Sequence, residues 1–188
     1  MVDLPFQFPS LYDPQLRWFS QAQCLPRPMP ALQSWLLDPG SLTQRLKAMN
    51  HKDFNVRVVE EGWFQHCNPS LLQCFLPHVV RQRMWSRKVL LCCADTPWVA
   101  AHTLIPVSSM TGPLRQLRSL RDRPLGEVLF QDPQLQRLQL EITQYEDMWG
   151  RRSLFYSQHQ PILVAEFFLP ALIEEDARRL LSLNTGVC

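Results

Sequence analysis

The stretch Pro161–Pro170, Pro-Ile-Leu-Val-Ala-Glu-Phe-Phe-Leu-Pro, constrains the fold of this chain more than any other. Nine of its ten residues are apolar, with β-branched and aromatic side chains prominent, so the run predicts a strand. Alternation sets Ile162, Val164, Glu166 and Phe168 on one face and Leu163, Ala165, Phe167 and Leu169 on the other. Two apolar faces need two covers. Glu166 then stands out, because an ionised carboxylate in that setting must find a partner or shift its pKa. A structural ion pair, a Glu at a sheet edge and a site carboxylate all meet that demand.

The other bulk features narrow the field. A chain of 188 residues fits one domain. A net charge of +2 gives no reason to expect nucleic acid as a partner. No apolar run approaches the length of about 20 residues that spans a bilayer, so no stable membrane insertion is expected. Met1-Val2-Asp3-Leu4-Pro5 lacks a basic segment followed by an apolar one, which predicts a cytoplasmic protein. Of the six cysteines, Cys24, Cys67, Cys74 and Cys188 are scattered, while Cys92 and Cys93 face opposite ways in a predicted strand. There is no Cys-x-x-Cys pair and the five histidines are dispersed, so no metal site is expected and the thiols read as reduced, small apolar residues.

Along the chain, residues 1–30 are Pro-rich and aperiodic, predicting an irregular arm on the surface with Phe6, Phe8, Leu11 and Trp18 docking. Pro30 introduces a short helix, Ala31–Leu37, which Asp38-Pro39-Gly40 stops. Ser41-Leu42-Thr43-Gln44 has the form of a capping box opening a second helix. The pair is a helix-turn-helix only in the plain geometric sense, since no basic face follows it. Strands are predicted at Asp53–Val59, Met84–Ala94, Trp98–Val107, Arg137–Tyr145, Leu154–Ser157 and Pro161–Pro170, with Leu138, Leu140 and Ile142 sharing a face of the fourth. Asn68-Pro69 reads as loop and Ser70–Val80 as a short helix or loop. Ser108–Gly112 reads as loop, and Pro113–Leu120 and Pro124–Phe130 as helical. Residues 171–183 form a last helix, with Glu174, Glu175 and Asp176 early and Arg178 and Arg179 late, as a helix dipole favours. Sequential strands after a helical start, without strand–helix alternation, give the fold class α+β: one domain, an antiparallel sheet of about six strands with helices on one side. The expected division is an arm (1–30), a central domain (31–170) and a C-terminal helical extension (171–188).

Few motifs carry chemistry. Phosphate loops, Gly-x-Ser-x-Gly elbows and His-Glu-x-x-His are absent. What remains is Arg87, on the predicted strand face that also carries Arg83, Trp85, Val89 and Leu91, and Glu166 on another apolar strand. Arg holds a carboxylate well by two parallel bonds, and a carboxyl in an apolar pocket is placed to exchange protons near neutrality. Arg87 and Glu166 either pair with each other or stand at opposite ends of a small pocket. Arg83, Arg151 and Arg152 read as solvated or as supports of the site.

One ordered set of segments resembles a known family. Trp35–Thr43, Arg87 with Leu90-Leu91, Pro97–Ala100 and Ile105–Ser108 come first. Gly112-Pro113-Leu114, Pro124-Leu125-Gly126, Leu129-Phe130, Trp149–Ser153 and Leu163–Pro170 follow. Over residues 30–170 the chain is similar to bacterial chorismate–pyruvate lyase, which makes 4-hydroxybenzoate for ubiquinone. The resemblance implies a chorismate lyase-like sheet with helical flaps over a buried cavity and no cofactor. It implies chorismate as substrate, a monomer, and inhibition by enclosed product. It also implies catalytic roles for Arg87 and Glu166 and substrate contacts from Arg87, Leu125, Glu166 and Leu42. Leu42 stands where a family member has methionine, and His102 where the family has arginine. The alternative is a non-catalytic sensor of aromatic acids on the same fold.

Overall fold

The computed structural model describes residues 6–9, 11, 16–23, 27–64 and 83–185. Its frame is an antiparallel sheet of six strands: β1 (Phe54–Phe64), β2 (Met84–Cys93), β3 (Thr96–Pro106), β4 (Gln136–Tyr145), β5 (Met148–Ser157) and β6 (Gln160–Phe168). The order across the sheet is β1-β2-β3-β6-β5-β4. Two three-stranded meanders therefore meet where β3 pairs with β6, and the apolar run read from the sequence is a central strand. Residues 65–82, with the Asn68-Pro69 loop, the Ser70–Val80 segment, Cys67 and Cys74, lie outside the described residues, as do Cys24 and Cys188.

Two strands run further than periodicity predicts. β5 begins at Met148, so Trp149–Ser153 is strand and not a lead-in. β1 continues through Glu60-Glu61-Gly62-Trp63 after a register shift between Val58 and Glu60. A second shift lies between Arg137 and Gln139 in β4. Each bulge inserts one residue and reverses which parity faces inward. Leu138, expected on the same face as Leu140 and Ile142, is instead 59% exposed.

The helices are α1 (Pro30–Leu36), α2 (Leu42–Met49), α3 (Leu125–Leu129) and α4 (Pro170–Thr185), with 3-10 turns at Val107–Ser109 and Gly112–Ser119. Proline opens α1, Asp38 Oδ1 accepts from Gly40 N–H at 2.7 Å in the break, and Ser41 Oγ accepts from Gln44 N–H to cap α2. In α4 the dipole reading does not hold. Its first turn has no acid and its last turn no base. Asp176 instead accepts from Trp35 Nε1 at 2.9 Å, and Glu175 pairs with Arg178 and Arg179 at 3.0 Å each. No helix among the described residues is long and apolar enough to cross a membrane.

Both faces of the sheet are covered, by different parts of the chain. Trp35, Leu36, Leu46, Leu117, Leu129 and Leu172 pack helices and turns on the face of Ile162, Val164 and Phe168. Leu163, Ala165 and Phe167 face the other way, under Leu11 and Leu16 with Phe6, Phe8 and Trp18 beside them. The arm thus seals the second face as well as docking on it, and Phe19 exchanges two backbone bonds with Ile142 of edge strand β4 at 2.9 and 2.8 Å. Gly150 makes room for the Phe167 ring, since a Cβ there would lie 2.6 Å from it.

His102 belongs to this arm-covered face. It is fully buried, its Nε2 lies 2.9 Å from Ser86 Oγ, and burial, aided by Lys88, pushes its pKa down to about 3. The unfolded chain takes up the proton near pH 6.5 and the folded one only near 3, so folding stability falls as pH drops through that window. Between pH 7.5 and 5 this one group is expected to remove about 2 kcal/mol. Denaturant titrations of wild type and His102→Gln at both values check it. Identical pH slopes in the two proteins contradict the burial of a neutral ring.

Candidate active site

A cavity with about 50 Å³ of free volume separates the helical face of the sheet from α2 and α3, room for a few waters. Val56, Val89, Ala101, Val164 and Phe155 form an apolar floor from five strands, and Leu42, Thr43, Leu125, Gly126, Leu129 and Phe130 form the lid. The charged residues in the wall are Arg87, Arg123, Arg137, Arg151 and Glu166.

Arg87, in the middle of β2, is 3% exposed. Its Nη1 donates to Glu61 Oε2 at 2.5 Å, while Nη2 donates to the carbonyls of Arg121 and, at 3.4 Å, Arg123. Arg121 adopts φ 51, the left-handed region, in the turn whose carbonyls receive Arg87. A guanidinium has five N–H groups. Three are taken among the described residues, leaving Nε–H and one Nη1–H, which point from different edges of the group.

Glu166 has a different partner. Arg151, opposite it on β5 and 1% exposed, donates from Nε to Oε2 at 2.6 Å. The Nη1 of Arg151 reaches the carbonyls of Trp35 and Asp38 at 2.9 Å each and of Leu36 at 3.5 Å. Those are the unsatisfied acceptors at the C-terminal end of α1, where a cation is favoured. Oε1 of Glu166 keeps no protein partner among the described residues. Arg87 and Glu166 therefore do not pair. They stand two strands apart in the sheet, about 10 Å across the floor.

Arg137 of β4 lines the same wall. Its Nη1 donates to the Asp38 carbonyl at 2.9 Å, the oxygen that Arg151 also uses, and the guanidinium lies 4.9 Å from the Phe155 ring centre. Burial and the neighbouring Arg151 charge lower its pKa, against the opposing pull of Glu166 and Asp38. The Asp38 carboxyl, though burial works to raise its pKa, is held below its usual value by the Gly40 N–H and by Arg45.

The four residues singled out in the sequence, Arg87, Glu166, Leu42 and Leu125, all border this one cavity. His102 does not. Arg151, expected to be solvated or supporting, is a buried ion-pair partner, and Arg152 pairs with Glu141 at 2.5 Å. Glu61 and Arg137 escaped sequence reasoning because each lies beyond a bulge, where period-two counting assigns the wrong face.

The lid closes through a contact that only glycine permits. A Cβ on Gly126 would lie 2.8 Å from Thr43 Oγ1, and the adjoining Glu127 pairs with Lys47 of α2. Gly126→Ala should lower unfolding free energy by about 1–3 kcal/mol through overpacking. Adding Thr43→Ala should recover most of that loss. A Gly126→Ala cost independent of the Thr43 side chain, measured by denaturant titration, contradicts the contact.

The family model described as Chorismate lyase matches residues 14–178. A protein from Proteus mirabilis named chorismate pyruvate-lyase is 40% identical over 138 residues, covering 73% of this chain and 80% of that protein. One of the same name from Enterobacter sp. is 36% identical over 156 residues, covering 83% and 91%. A solved transcriptional regulator of the GntR family from Bacillus cereus matches with a TM-score of 0.46 at 10% identity, over 64% of this chain and 94% of that one. A likeness that loose does not discriminate between functions.

Proposed function

This chain belongs to the chorismate lyase family, and from that premise we propose that it cleaves chorismate to 4-hydroxybenzoate and pyruvate, the first committed step towards ubiquinone. The observation that carries the reading is the placing of Arg87 and Glu166 at separate points of one cavity between the sheet and α2 and α3, each oriented by its own partner. Two such groups suit a flat ring with an acid on one side and a hydroxyl on the other. In this reading the protein acts as a monomer, and the reaction is assigned to the cytoplasm.

In this reading Arg87 holds the ring carboxylate by its charge and a remaining N–H group and fixes the orientation of the ring. Glu166, steadied by Arg151 on Oε2, meets the ring hydroxyl through Oε1. The ether C–O bond breaks, the hydroxyl-bearing carbon loses its proton, and the leaving enolpyruvate gains one to become pyruvate. Glu166 assists that proton movement. Aromatisation makes the step strongly downhill, so the residues need only orient the ring and move a proton, and no cofactor is invoked. Leu42 and Leu125 keep bulk water from the ring. Leu42 does so as an apolar wall, a role in which leucine and methionine are close to interchangeable. The cavity as it stands holds only a few waters, so α2 and α3 must part to admit and release the ring, which makes product release slow and product inhibition expected.

Incubating the purified protein with chorismate should give pyruvate and 4-hydroxybenzoate in equal amounts. No turnover, or the 3-hydroxy isomer, overturns the reading. Arg87→Ala should reduce kcat/KM by about 10- to 100-fold, the value of a charge-assisted clamp. Glu166→Ala should reduce kcat by about 100-fold or more while 4-hydroxybenzoate still binds. Wild-type rates in either folded variant would remove that residue from the mechanism.

A further inference from the structure

We propose that Arg137 binds the second carboxylate of the substrate, the one carried on the enolpyruvyl arm. This rests on the chorismate reading above and extends it to a part of the molecule that the product lacks.

The starting observation is an imbalance. Arg87, Arg151 and Arg152 are buried and each has a carboxylate within 2.6 Å. Arg137 borders the cavity, yet no carboxylate among the described residues pairs with it. Its Nε is buried and has no hydrogen-bond partner among the described residues. Its one hydrogen bond among them goes to a neutral carbonyl that Arg151 already shares. Two guanidiniums, Arg137 and Arg151, thus converge on the Asp38 carbonyl, where Glu166 pairs with Arg151 and the Asp38 carboxylate, which also acts on Arg137, pairs with Arg45. At the other end of the cavity Arg87 is paired with Glu61, and Arg123 beside it is exposed to solvent.

A guanidinium drawn partly out of water, with its Nε buried, gains from a counter-charge, and its planar fork is suited to a carboxylate. The Phe155 ring, 4.9 Å away, helps hold it in place. The bulge in β4 is what turns Arg137 to this side, opposite Phe155. Without the inserted residue its side chain would take the face away from the cavity.

The chemistry of the substrate matches this end. In chorismate the ether carbon adjoins the carbon bearing the hydroxyl. A ring that meets Glu166 with its hydroxyl and Arg87 with its carboxylate therefore carries the enolpyruvyl arm to the Glu166 end. Both carboxylates of the dianion then face a guanidinium. When the ether breaks, the arm's carboxylate departs with pyruvate, and 4-hydroxybenzoate keeps its contacts at Arg87 and Glu166 but none at Arg137. Arg137 favours substrate over product, which counters product retention by the closed lid.

The test separates the two ligands. Arg137→Met keeps the stem and removes the charge, Arg137→Gln retains a donor for the Asp38 carbonyl should the first variant fail to fold, and Arg137→Lys restores charge. Steady-state kinetics with chorismate and calorimetric binding of 4-hydroxybenzoate are measured for each. The proposal expects kcat/KM for chorismate to fall by about 10- to 100-fold in the neutral variants, with 4-hydroxybenzoate affinity unchanged and partial recovery in the Lys variant. Unchanged kcat/KM, or equal loss for both ligands, overturns it. Absence of turnover in the wild type would instead overturn the chorismate reading, so the two failures are distinguishable.

Discussion

The ion pair between Arg151 and Glu166 is the contact on which the site's architecture hangs. A carboxylate in a central strand with helices over one face and the arm over the other needs a buried cation, and β5 provides it directly across the ladder. Arg151 then needs acceptors of its own and takes them from the carbonyls where α1 ends. Breaking such a pair leaves an uncompensated buried charge at about 3–5 kcal/mol. The pair ties the sheet to the helical layer, and it fixes which oxygen of Glu166 is bonded and which is left for the cavity. The Asp38-Pro39-Gly40 break serves the same end, since stopping α1 there leaves the carbonyl of Asp38 for two guanidiniums.

The cavity this produces carries excess positive charge. Arg87 and Arg151 have carboxylates in Glu61 and Glu166, whereas the partly buried Arg137 at the Glu166 end and the exposed Arg123 near Arg87 have none among the described residues. A dianion is better matched to such a cavity than a monoanion, and the difference lies at the end where the bond breaks. Catalysis gains from contacts made to substrate and transition state and lost in the product. An apolar floor and a lid closed at the Gly126–Thr43 contact keep solvent from screening these charges.

Much of the fold was legible in the sequence because its central strands obey simple alternation. The Pro161–Pro170 run became β6 with both faces covered, and the hairpin of β2 and β3, the proline-led α1 and the Ser41 cap lie within a residue or two of their expected bounds. Two limits had physical causes. Bulges in β1 and β4 reversed parity, so Glu61 and Arg137 went unnoticed and Leu138 was assigned to the wrong face. Arg151 was undervalued because its burial depends on carbonyls more than a hundred residues away, which no local pattern reports. Arg87 and Glu166 were found because a charge inside an apolar strand is visible without a structure. That they do not pair with each other was not visible, and only the partners Glu61 and Arg151 decide it.

The central claim is one of orientation: an aromatic acid lies in this cavity with its carboxylate on Arg87 and its hydroxyl on Glu166. A crystal structure of the protein with 4-hydroxybenzoate tests it directly. The account predicts the ring between the floor and the α2–α3 lid, its carboxylate on Arg87 and its hydroxyl at Oε1 of Glu166. A ring bound outside the cavity, or one reversed so that its carboxylate sits on Arg137 and Arg151, would contradict it.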